Sequence, residues 1–91
     1  MSSIDIRRKH SRPPAEARQA VQRVADHIAD KFDVRWCWEG DTLHFERSGV
    51  DGHIRLAAKS VHVTARLGFL LMALRGSVER EIHRYLDEEF S

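Results

Sequence analysis

The sequence predicts an α+β fold in which strand, helix, four strands and helix follow one another (β-α-β-β-β-β-α), with two helices packed on one face of an antiparallel sheet. Three observations carry this. Apolar residues recur at helical spacing in one stretch before and one stretch after a middle region. Within the middle region they alternate with polar residues through four consecutive segments, and pairs or quartets rich in turn-forming residues separate those segments.

Ile4 and Ile6 alternate with Asp5 and Arg7, the pattern of a short first strand that pairs at an edge of the sheet. Ser11 reads as the cap of a helix opened by Pro13 and Pro14, since proline is tolerated where amide donors lack partners anyway. Ala17, Val21, Val24, Ala25, Ile28 and Phe32 then share one face over about five turns.

From Asp33 the period is two. Val34, Trp36, Trp38, Leu43, Phe45, Ile54, Leu56, Ala58, Val61, Val63, Ala65 and Leu67 fall on one side of a four-strand meander. Gly40-Asp41 is read as a tight turn, residues 49–52 as a four-residue loop and Lys59-Ser60 as the third connection. These lengths align Trp36, Phe45, Leu56 and Val63 in one row. On the other face they align Arg35, Glu46, Arg55 and Thr64, with charges alternating in sign. Residues 68–90 read as helix with a stripe of Leu71, Leu74, Val78, Ile82, Tyr85 and Leu86, interrupted at Gly76-Ser77 by a kink or by a restart at Ser77, a good N-cap.

A chain of 91 residues fits one domain, 1–91, with a core too small to hold a deep cavity cheaply. Fifteen Lys and Arg against fourteen Asp and Glu leave a formal charge of +1, so no global field attracts nucleic acid. The single cysteine, Cys37, allows no internal disulfide, and the polar start Met1-Ser2-Ser3 is unlike a signal peptide; a cytoplasmic location is expected. The longest apolar run, residues 67–74, is far below the ~20 residues of a membrane span.

The ordered set Ile4-Asp5-Ile6-Arg7-Arg8-Lys9-His10, Ala17-Arg18, Trp38-Glu39-Gly40-Asp41-Thr42-Leu43-His44-Phe45, Arg47-Ser48-Gly49-Val50-Asp51-Gly52 and Leu67-Gly68-Phe69-Leu70-Leu71, with Ile82 and Leu86, resembles the polyhydroxyalkanoic acid system proteins over nearly the whole chain. The resemblance implies a small cytosolic bacterial protein linked to making, coating or regulating polyhydroxyalkanoate granules. It brings no catalytic residue and no cofactor with it.

Among the residues themselves, the predicted register sets His44 and His62 on either side of Ala57, with Cys37 beyond His44. Adjacent strands ~4.8 Å apart would let Cys37 and His44 share a metal, but zinc needs three or four converging ligands, so no metal site and no catalytic group is assigned. Arg7, Arg8, Lys9 and Arg12 form the densest basic cluster, a grip for phosphates or an acidic partner. The plainer reading pairs them with Asp87, Glu88 and Glu89, placed at the negative end of a helix. Trp36 and Trp38 alternate so as to point into the core rather than stack on bases.

The apolar contact surface singled out is Leu67, Phe69, Leu70, Leu71, Met72 and Leu74, apolar on more sides than one sheet can cover. A granule surface or its proteins, a second copy of the chain, or an acyl ligand would each suffice. The leading expectation is a non-catalytic accessory protein of the polyester granule. The others are a carrier resembling helix-grip lipid binders, which needs an enclosed apolar cavity, and a nucleic-acid-binding regulator, which needs the basic N-terminus to stand clear of the acidic helix end.

Overall fold

The computed structural model describes residues 2–90. Its elements are β1 (Ser2–Lys9), α1 (Pro14–Phe32), β2 (Arg35–Glu39), β3 (Thr42–Arg47), β4 (Val50–Leu56), β5 (Ser60–Leu67), a 3-10 segment (Phe69–Leu74) and α2 (Arg75–Phe90). The five strands form one antiparallel sheet in the order β1-β5-β4-β3-β2, so the first strand takes the β5 edge and β2 is left at the other.

Both helices lie on the apolar face. Ile4, Leu43, Phe45, Ile54, Val61, Val63 and Leu67 join Val21, Val24 and Ile28 of α1 and Ile82 and Leu86 of α2 in a single buried cluster. The alternate residues of each strand face away from the helices and are polar, which leaves the second face of the sheet bare.

α1 begins at Pro13 rather than being capped by Ser11: the Ala17 amide donates to the Pro13 carbonyl at 2.9 Å, with no side-chain cap. The Arg12 amide is met instead by Nδ1 of His10 at 3.1 Å. The helix ends on Asp33, at φ 57°, a left-handed conformation that aspartate tolerates, and two residues later the chain is strand β2.

The faces of the meander are as predicted, while its register differs. Phe45 stands opposite Gly52, not in a row with Leu56, because the β3–β4 connection is the two-residue turn Ser48-Gly49, with Gly49 at φ 85°. Gly52 is a strand residue, and the space its missing side chain leaves is filled by the Phe45 ring. The β4–β5 connection likewise turns over residues 57–60, so Ile54 faces Val63 and Ala58 is exposed in the turn. Relative to the predicted pairing the slips are by an even number of residues, and an even slip keeps every side chain on its own face. The polar row is changed: Arg35, Glu46, Asp51 and Arg66 stand side by side, so two carboxylates adjoin at its centre in place of alternating signs.

The last helix also differs. Residues 69–74 wind as 3-10, and α2 runs without a break from Arg75, through Gly76 and Ser77. Ser77 is not a cap; its hydroxyl accepts from Arg80 at 3.4 Å.

Candidate functional site

The site begins where β5 ends. Leu67 is its last residue and is buried. The amide of Gly68 then donates to the Gly49 carbonyl at 2.8 Å, which fastens the 3-10 segment to the β3–β4 turn. The two glycines approach closely: a side chain at Gly68 would meet the Gly49 backbone at 3.4 Å, and Leu71 covers Gly49 from outside.

Three residues per turn align positions three apart, so the segment Phe69–Leu74 carries three straight stripes. Leu71 and Leu74 line an apolar cleft of about 80 Å³ with Ile28, Phe32, Val50 and Val78, between the end of α1, the start of α2 and the sheet. Phe69 and Met72 form the stripe turned away, 85% and 39% exposed. Leu74 is 49% exposed at the rim. Among the described residues these three are the large apolar side chains left exposed. The side chain of Leu70 lies outside the described set. A larger hollow, about 480 Å³, lies open and polar beside Arg35, Glu46 and Arg47 and adjoins none of the chemistry considered above.

The basic run does not converge. Strand alternation sends Arg7 and Lys9 to the bare face, where Arg7 lies 4.0 Å from Asp5. Arg8 goes to the helix side and pairs with Asp87 of α2 at 2.6 Å. Arg12 sits over the Phe90 ring, 5.8 Å from its centroid. The acidic helix end therefore lies against the basic strand rather than clear of it.

On the bare face Cys37 is opposite His44 as predicted, but the row continues through His53, Thr64 and Asp5, and His62 belongs to the next row with Arg55 and Arg7. Ala57 is in a turn. His44 Nε2 is 2.7 Å from Asp51 Oδ1, and its ring stacks on that of His53 with centroids 4.8 Å apart. The hydrogen bond to Asp51 is the main cause that holds the His44 imidazolium to a higher pH than usual, and in return it lowers the Asp51 carboxyl. His62 bonds Asp5 at 2.6 Å. No three metal-ligating side chains converge among the described residues. Asp51 falls within residues 49–52, whose turn residues predict a loop, so its place beside His44 is not expected from the sequence; the alternation of Val50, Gly52 and Ile54 against Asp51, His53 and Arg55 is the signal that makes the stretch a strand.

The family described as Putative polyhydroxyalkanoic acid system protein matches residues 4–90. The chain belongs to that family. No curated protein and no solved structure gives a significant match. In this member of the family, two of the stretches that carry the resemblance, residues 47–52 and 67–71, are joined by the hydrogen bond between Gly68 and Gly49. No helix among the described residues is long and apolar enough to cross a membrane.

Proposed function

We propose that this protein is a non-catalytic, cytoplasmic accessory factor of the polyhydroxyalkanoate system that adheres to the polyester granule, or to a protein on it, through the 3-10 segment. One observation carries the reading: the large apolar side chains exposed among the described residues all fall within Phe69–Leu74. A phenyl ring 85% exposed offers on the order of 150 Å², worth about 4 kcal/mol of gross adsorption at ~25 cal/mol per Å² before the cost of association is subtracted. Leu67 and Leu71 line the apolar cleft on the inner side of the segment.

The carrier alternative is disfavoured by volume, since the cleft of about 80 Å³ is small beside the ~300–1,000 Å³ of ordinary ligand pockets, and neither Trp36 nor Leu56 lines it. The nucleic-acid alternative is disfavoured by the ion pair between Arg8 and Asp87. Co-sedimentation with isolated polyester granules tests the proposal. Phe69→Ser and Met72→Ser should each lower the bound fraction with an unchanged circular dichroism spectrum. Full binding by both variants would place the contact elsewhere, and unfolding of both would make the segment core.

A further inference from the structure

We propose that β2 is a self-complementary edge through which two copies of the chain pair, continuing one sheet into the next across a twofold axis. Among the described residues β2 is paired with β3 alone, so its outer edge is free. The hairpin closes on Glu39 and Thr42 around the two-residue turn Gly40-Asp41, which makes their pair a hydrogen-bonded one. By alternation Arg35, Cys37 and Glu39 direct their backbone groups toward β3, and the N–H and C=O of Trp36 and Trp38 point outward.

The strand reads Arg-Trp-Cys-Trp-Glu. Laid antiparallel against itself with Cys37 on the axis, it sets Arg35 opposite Glu39 of the second copy, twice by symmetry. Trp36 then faces Trp38 of the second copy. These tryptophan pairs use the outward backbone groups, so the hydrogen-bonding parity and the charge pairing select the same register. Cys37, which is exposed, meets its own copy in a non-hydrogen-bonded pair with Cα atoms about 4.5 Å apart.

The surroundings permit the approach. α1 packs across β2, β3 and β4, with β3 the middle strand of the three. In the paired sheet the two β3 strands stand three strand spacings, about 14 Å, apart, more than the ~8–10 Å that neighbouring helices need. The indole nitrogens of Trp36 and Trp38 donate to Asp26 and Gln22 of their own α1, at 3.1 and 3.2 Å, which holds both rings on the helix side and keeps the edge clear. No lysine, proline or bulge interrupts β2, and its two charges are of opposite sign, whereas the β1 edge carries Arg7, Arg8 and Lys9.

Sedimentation equilibrium at up to about 0.1 mM chain, with cross-linking by a short bis-maleimide through Cys37, tests the pairing. Wild type should dimerise and cross-link. Arg35→Glu alone sets glutamate against glutamate, and Glu39→Arg alone sets arginine against arginine, so each should raise the dimer dissociation constant about tenfold or more. An equimolar mixture of the two variants restores both charge pairs and should cross-link like wild type. In the unmodified protein, amide exchange at Trp36 and Trp38 should slow as concentration rises, while the Cys37 amide, already bonded within the sheet, should not respond. A wild type that stays monomeric, single variants that cross-link undiminished, a mixture that fails to recover, or tryptophan amides indifferent to concentration would each overturn the proposal.

Discussion

Replacing Gly52 with alanine tests the register of the sheet with one methyl group. Gly52 does not sit at positive φ, so its backbone would accept alanine, and with free space the change would stabilise by ~0.4–1 kcal/mol through the unfolded chain. The structure provides no such space. A Cβ there would collide with Cζ of Phe45 and lie 2.6 Å from Cε2 of the same ring and 2.7 Å from the Thr64 carbonyl oxygen, against the ~3.5 Å of ordinary contact. The ring can shift, but the carbonyl belongs to β5 and is held by its ladder, so overpacking of about 1–3 kcal/mol is expected. For a chain of this size about 2 kcal/mol lowers Tm by roughly 10 °C in a calorimetric or circular dichroism melt. Shortening the opposing side chain with Phe45→Leu should reduce the cost of Gly52→Ala by at least about 0.5 kcal/mol, since the two residues share one volume. A neutral or stabilising Gly52→Ala, or strict additivity in that cycle, would refute the pairing of Phe45 with Gly52 and return Gly52 to a loop.

Phe45→Ala should cost about 3–5 kcal/mol in urea denaturation, and Trp36→Ala, half-buried on the edge strand, only about 1–3; equal losses would put Trp36 in the core. Arg8→Ala should cost less than about 1 kcal/mol, because Asp87 is 66% exposed and its pair is screened; a larger loss in the same assay would show the β1–α2 contact to be essential. The raised His44 contributes stability that is complete below its ordinary 6.5 and is lost as pH climbs through the raised value. The lowered Asp51 contributes stability complete above its ordinary 3.8 and lost as pH falls through the lowered value, so the pair stabilises most between those two figures. Proton NMR titration should show His44 returning toward 6.5 in Asp51→Asn, and an unmoved midpoint would mean that the bond is absent in solution.

The faces of this fold were legible because burial depends on parity within each strand: every second residue of a strand either meets the helices or does not, whatever the pairing. Register was harder to read because residues 49–52 carry glycine at both ends: the alternation through Val50, Gly52 and Ile54 marks a strand, but the fit of the Phe45 ring into the space at Gly52 comes from another strand. The apolar excess of residues 67–74 was visible as composition. Its division into a lining stripe and an exposed one was not, since that depends on 3-10 winding, which opens with the Leu71 amide donating to the Gly68 carbonyl at 2.9 Å. The basic cluster, dense in sequence, is divided in space because neighbours along a strand point to opposite faces, and Arg8 meets Asp87 as the plainer reading of the cluster expects.

The winding of Phe69–Leu74 also sets the shape of what it can touch. Side chains three apart stand directly above one another, so Phe69 and Met72 form a ridge parallel to the axis, and six residues extend about 12 Å where an α-helix would extend about 9 Å. Wound as α-helix, the same pair would diverge by about 60° around the axis. A straight ridge lies flush on a plane, whereas a diverging pair meets it at a single point. Flatness of contact is thus written into hydrogen-bond spacing rather than apolar content, and under the proposed granule contact a substitution that merely rewound this segment would weaken adhesion to a planar surface while leaving every apolar side chain in place.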